Sequence, residues 1–252
     1  MKKLFFTTLL CCGMQAIMSP LSAMPTIEAN ASEAEAPDKS NTVIARIDLP
    51  AFSGIYSDVV ANITIEQGNE YFIEAQGPEH LIQLIEPELQ QEGGTLTIKA
   101  KKEYKGKKNG ISIHIVTPQL SLIYNEGVGN ICTKGAFKTQ MMTITNKGVG
   151  NITIESMECE RMQVVNEGVG NVDLTGKATN AVLKSEGVGN INAYNFEVSD
   201  LNADLKGVGS IECYVTERFT CEANGVGSIY YKGNPKQTHI SANGLGKVRV
   251  AK

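Results

Sequence analysis

The sequence has no tryptophan, only three histidines and a single long apolar run, and each shortage removes a class of function. His80, His114 and His239 stand far apart. Of the six cysteines two lie in the N-terminal leader, and the other four, Cys132, Cys159, Cys213 and Cys221, include no pair at metal-binding spacing, so neither a metal nor another cofactor is expected. Column positions described below make Cys213 and Cys221 small core residues, expected as free thiols, with a disulfide between them as the alternative. No run after Met18 is long enough to cross a bilayer, so the mature chain is expected to have no transmembrane span. Positive charge is also scarce: the formal charge is −4, becoming −6 once Lys2 and Lys3 are removed, and no aromatic–basic interleave occurs, which excludes a general nucleic-acid binder.

The apolar run itself is a leader. Met1-Lys2-Lys3, a short greasy segment to Met18 and small residues near Ala23 predict a signal peptide over 1–23, hence export to the periplasm or cell surface. Cys11 and Cys12 follow Leu9-Leu10, and the large residue before Cys11 argues against lipid anchoring. Residues 24–41 are rich in Ala, Glu, Ser and Pro without periodicity and read as a flexible linker. A single domain then fills 42–252, with a divergent coil and cap over 42–118 and seven repeats over 119–252.

The repeats organise the chain. Asn125-Glu126-Gly127-Val128-Gly129-Asn130-Ile131 recurs with paired glycines at Gly127 and Gly129, Gly148 and Gly150, Gly168 and Gly170, Gly187 and Gly189, Gly207 and Gly209, Gly225 and Gly227, and Gly244 and Gly246. Steps of 18 to 21 residues repeated through half the chain define a unit of architecture, a solenoid of stacked β coils. With the first glycine as offset zero, the residue at +4 is always Ile or Val, and offsets +4 to +6 alternate apolar, polar, apolar as a strand does. The Val at +1 is equally invariant, apart from Leu245, and is expected to plug the core while the glycines form a sharp corner at which the alternation breaks. Burial of about 1.5–3 kcal/mol per Val or Ile then outweighs the roughly 1–2 kcal/mol of entropy that two glycines cost. Asn125, Asn146 and Asn166 at −2, and Asn130, Asn151, Asn171 and Asn190 at +3, predict amide ladders between coils.

Upstream, Ile55 to Ile65 aligns with Ile123 to Thr133 and is predicted to be a degenerate first coil. Pro78 to Ile85 reads as a short helix ended by Pro87, and Ile111 to Ile115 as a strand feeding the repeats. This segment is expected to cap one end of the stack. The last strand carries only Lys247, Arg249 and Lys252 as edge protection, so the terminal coil edge is a candidate site of oligomerisation.

Phe52-Ser53-Gly54-Ile55, Asn62 to Gly68, Gly94-Thr95-Leu96-Thr97-Ile98, Val116-Thr117-Pro118-Gln119-Leu120, the Gly-Val-Gly series and Lys232-Gly233-Asn234-Pro235, in that order, resemble the family described as "putative auto-transporter adhesin, head GIN domain". The resemblance implies an all-β, right-handed parallel β-helix secreted by Gram-negative bacteria, and no catalytic residues. Dinucleotide binding would need a third glycine and a following helix, and calcium repeats a recurrent Asp; neither is present. A β-helix enzyme acting on polysaccharide would need converging acids. Asp173, Glu212 and Arg249 share the outward +5 column, but Asp173 and Glu212 are two coils apart, roughly 10 Å, too far for a retaining pair at about 5–5.5 Å and marginal for an inverting one at about 6.5–9.5 Å. The expectation is a non-enzymatic binding module, whose partner would be a cell-surface glycan or other envelope component, or else a structural envelope protein. The candidate anionic-ligand loop is Lys99, Lys101, Lys102, Tyr104, Lys105, Lys107 and Lys108, against the alternative of a solvated hairpin tip.

Overall fold

The computed structural model describes residues 42–90, 94–101 and 110–251, whose regular secondary structure is almost entirely strand. The chain opens with β1 (Thr42–Asp48), β2 (Gly54–Asp58), β3 (Asn62–Gln67) and β4 (Phe72–Pro78). After α1 (Glu79–Ile82) come β5 (Ile85–Gln90), β6 (Thr95–Ala100) and β7 (Ser112–Thr117). The coils proper start with β8 (Leu122–Asn125), β9 (Ile131–Lys134) and β10 (Phe137–Asn146). Four long strands follow, β11 (Ile152–Asn166), β12 (Val172–Ser185), β13 (Ile191–Leu205) and β14 (Ile211–Ala223). The stack closes with β15 (Ile229–Lys232), β16 (Gln237–Ala242) and β17 (Val248–Val250).

Successive coils pair in parallel and in register, so a residue lies over its repeat equivalent: Ile144 over Ile123, Val164 beside Ile144, Val172 beside Ile152. This is a β-solenoid of about six turns. The degenerate coil sits where the alignment puts it, with Ile55 opposite Ile123, Ser57 opposite Asn125 and Ile63 opposite Ile131. The stacking order is not the chain order, however. β6 and β7 pair in parallel with the other sides of β2 and β3, so the coil laid down first is sandwiched between two laid down later. Ile111 to Ile115 therefore does not stack on the repeats. β7 lies against β3, and antiparallel β4 and β1 complete the cap beyond it, while β5 covers β6. The helix is four residues long, shorter than Pro78 to Ile85, because so short a segment cannot offset the cost of helix nucleation. Pro87 lies within β5, an edge strand that tolerates a missing N–H.

The corner departs from the sequence reading. Val128, Val149, Val169, Val188, Val208 and Val226 are exposed, not core plugs, and Leu245 is more exposed still. Offsets −4, −2, +4 and +6 are buried in the central coils and −1 and +1 are exposed, while the glycines at 0 and +2 are buried or half-buried. It is the glycines that have no room for a side chain, because each lies against the backbone of the neighbouring coil. A Cβ on Gly148 would sit 2.1 Å from the carbonyl oxygen of Gly127, and one on Gly168 2.2 Å from that of Gly148, so the coils approach too closely there for any side chain. Valine between them is held by backbone pairing, Val149 N–H donating to Gly127 O at 3.0 Å and Gly150 N–H to Val169 O at 2.9 Å. An invariant apolar residue looked like core because composition alone cannot distinguish a buried column from an exposed one.

Inside, the +4 column of Ile63, Ile131, Ile152, Val172, Ile191, Ile211 and Ile229 is almost wholly excluded from water, as are Phe52, Phe137, Phe196 and Phe219. The −2 asparagines are buried among them and satisfy one another: Asn125 Nδ2 donates to Asn146 Oδ1 at 2.9 Å and Asn146 Nδ2 to Asn166 Oδ1 at 3.0 Å. Asn166 Nδ2 then donates to Gly170 O at 3.0 Å, and from Leu205 onward the column is apolar. The +3 asparagines do different work. Each Oδ1 accepts the backbone N–H of the next coil, Asn130 from Asn151 at 3.0 Å and Asn151 from Asn171 at 2.8 Å. Ile240, Leu245 and Val250 are exposed on the last coil, whose strands pair on one side only.

Candidate binding surfaces

Of the lysine-rich candidate loop, Lys99 and Lys101 are described, and Lys102, Tyr104, Lys105, Lys107 and Lys108 lie outside the described residues. Lys99 lies near the end of β6 opposite Asp58, with its ammonium 5.8 Å from the ring centre of Tyr56. Tyr56 stacks on Tyr124 at 5.3 Å, and Lys147 approaches the Tyr124 ring from the next coil at 5.8 Å. Lys, Tyr, Tyr and Lys thus form one ladder across four coils, and Glu126 accepts hydrogen bonds from both phenols. The Glu126 contact and partial burial push the Tyr56 phenol up to about 12. Both ring faces are occupied by neighbours, so this ladder ties the first coils together and offers no open stacking platform. Sequence alignment placed Tyr56 over Tyr124; nothing in it signalled the flanking cations. Lys101 reaches Glu86 at 3.8 Å and the Gln83 carbonyl at 3.4 Å, exposed contacts worth about 0–1 kcal/mol.

A second aromatic group was not singled out in the sequence. Lys232 lies 4.9 Å from the Tyr214 ring centre and 5.7 Å from that of Tyr194, on the outward side of β13, β14 and β15. In the neighbouring +5 column Asp173 accepts a hydrogen bond from Asn192 at 2.6 Å, and Asn192 in turn lies opposite Glu212. Asp173 and Glu212 are therefore separated by a whole coil. Among the described residues no group of three or more His, Cys, Asp or Glu side chains could hold a metal ion. His114 faces Glu66 at 3.0 Å and Glu74 at 3.7 Å, while His80 and His239 lie on α1 and β16. No helix among the described residues is long and apolar enough to cross a membrane.

All four cysteines among the described residues are free thiols. Burial pushes Cys159 and Cys221 up to about 11, and raises Cys213 further. Cys132 is only half-buried, and is raised by desolvation and then by Glu155. Thiol labelling of the folded protein at pH 8 is therefore expected at Cys132 alone. Its rate should climb as the pH passes the ordinary thiol range, because a raised pKa leaves little thiolate below it. Cys159, Cys213 and Cys221 should react only in denaturant; modification of Cys213 or Cys221 in the folded state would contradict their placement.

Closely stacked parallel coils with open outward columns define the class of fold, a β-solenoid. The chain belongs to the family described as "putative auto-transporter adhesin, head GIN domain", whose model matches residues 51–235. It is similar to a crystal structure of a "putative adhesin" from Bacteroides fragilis, with 31% identity and a TM-score of 0.78 over 84% of this chain and 98% of that one. A "putative adhesin" from Parabacteroides merdae shares the fold at 20% identity and TM-score 0.63, covering 84% of this chain and 97% of that one. So does a "putative lipid binding protein" from Parabacteroides distasonis, at 20% identity and TM-score 0.62, covering 84% and 98%. No curated protein matches the chain.

Proposed function

We propose that this protein is an exported, non-enzymatic adhesin-type module of a Gram-negative cell envelope, acting in the periplasm or at the cell surface. The observation that carries the reading is the family membership combined with a surface built of repeated columns, in which the outward acids Asp173 and Glu212 are held apart by Asn192. The recognition element is the loop from Lys99 to Lys108, which concentrates six lysines in ten residues of an otherwise acidic chain. It engages an anionic component of the envelope, a charged glycan or a lipid headgroup, and the lipid-binding name of one structural relative sits with the second source.

The test is binding of the purified protein to lipopolysaccharide, to an acidic glycan array, and to vesicles with and without anionic phospholipid. Attraction through lysine charge should weaken about tenfold or more between low and roughly 0.5 M salt as the screening length shortens. Replacing Lys101, Lys102, Lys105 and Lys107 with Ser should abolish binding and leave the melting temperature unchanged. Binding that survives the four substitutions would move the site off this loop. Absence of binding even at low salt would favour a purely structural envelope protein.

A further inference from the structure

Between their two glycines six successive coils present the same exposed apolar side chain. Val128, Val149, Val169, Val188, Val208 and Val226 are each 45–51% exposed, and each is joined to the next by a parallel bridge. The stripe spans five coil steps, roughly 24 Å. A polar residue at +1 would leave the interior untouched, so an apolar column in coil after coil is a surface suited to another apolar surface. The row beside it, at −1, shows which. Glu126, Lys147, Glu167, Glu186 and Lys206 are exposed and read minus, plus, minus, minus, plus. Reversed about Glu167, that row is its own complement: Glu126 meets Lys206 and Lys147 meets Glu186.

We propose that the valine stripe is a self-association surface, occupied by a second copy of this chain running antiparallel, with the two-fold axis at Val169. Rotation about an axis that lies in the interface and crosses the stripe keeps each column facing the same column and reverses the coil order. Val149 then packs on Val188 of the second copy, Val128 on its Val208, and each of the two charge pairs occurs twice. The one like pair, Glu167 with its counterpart, is offset within each copy by Lys147 at 3.3 Å. A parallel arrangement would instead set the charged row against the +3 asparagines, whose Oδ1 atoms are already engaged by backbone N–H groups. Three outward columns about 7 Å apart give a footprint of roughly 500 Å² per copy, so the dimer is a weak one, favoured at the high local concentration of a surface protein.

Cysteine cross-linking tests the axis directly. In a Cys132→Ser background, Val169→Cys places two thiols on the axis, and oxidised glutathione, taking up the two electrons, should yield a covalent dimer on a non-reducing gel. Val128→Cys alone should give none, because its own counterpart is four coil steps away, about 19 Å, far beyond disulfide reach. Mixing Val128→Cys with Val208→Cys should restore the cross-link. Lys147→Glu should abolish cross-linking at Val169→Cys, and adding Glu186→Lys should recover it. Equal cross-linking of the two single variants would mean parallel stripes and would overturn the proposal. So would a dimer seen by sedimentation with no cross-link at 169, which would place association elsewhere, for instance on the open last coil.

Discussion

Gly170→Ala should destroy most of the stability of the solenoid, at a cost of roughly 3–5 kcal/mol, from strained backbone and overpacking together. Gly170 has φ +141°, a conformation that an alanine rarely adopts, and the added Cβ would lie 2.1 Å from the Gly150 carbonyl oxygen. That oxygen belongs to backbone, not to a side chain that could swing away. The corner around it is pinned to the neighbouring coil, since Gly150 N–H donates to Val169 O at 2.9 Å. Denaturant melts should show a large drop in midpoint, or an insoluble product. A change below about 0.5 kcal/mol, the range of a neutral surface substitution, would mean the coils have room that this structure denies them.

The buried asparagines give the second large effect. Asn146→Leu should cost about 2–4 kcal/mol, because it orphans a donor on Asn125 and an acceptor on Asn166. The loss would not be steric, for Leu205 occupies the same column fully buried two coils beyond Asn166. Changing Asn125, Asn146 and Asn166 together to Leu should therefore cost less than three times the single change, since the orphaned partners disappear with the ladder. What remains would be the contacts that the ends make with backbone, the Gly127 N–H on Asn125 Oδ1 and the Gly170 carbonyl on Asn166 Nδ2. A triple variant three times as unstable as the single one would argue that the amides act independently.

Much of this architecture was legible because repetition averages out ambiguity. A single Ile at +4 says little, but seven equivalents at one offset say that the position is interior, and the alignment of Ile55 with Ile123 needed no more than that. The asparagine columns were legible for the same reason. Repetition misleads, however, when an invariant residue is invariant for an outward reason. Valine at +1 has the composition of core, and glycine carries no polarity with which to contradict it, so the parity of the neighbours, buried Asn125 and exposed Glu126, was the only clue. The insertion of the β2–β3 coil between later coils was illegible on other grounds. Pairing partners in a stack are interchangeable by pattern, and nothing local in Thr95 to Thr117 states which side of β2 and β3 they take. The candidate loop was visible as charge, whereas the Lys99, Tyr56, Tyr124 and Lys147 ladder depends on juxtaposing four coils.

The central claim is that the valine of each Gly-Val-Gly corner faces out, between glycines packed so closely on the neighbouring coil that no side chain fits. It is tested most directly by measuring the stability of Val169→Asp beside that of Gly170→Ala, adjacent positions in one corner, by denaturant melting at a concentration too low for self-association. The account predicts that the aspartate, placed in water on the outward column, changes stability by less than about 1 kcal/mol while the alanine unfolds the protein. A Val169→Asp variant that collapses like a buried-charge mutant, next to a Gly170→Ala variant that folds, would show that the corner is turned the other way.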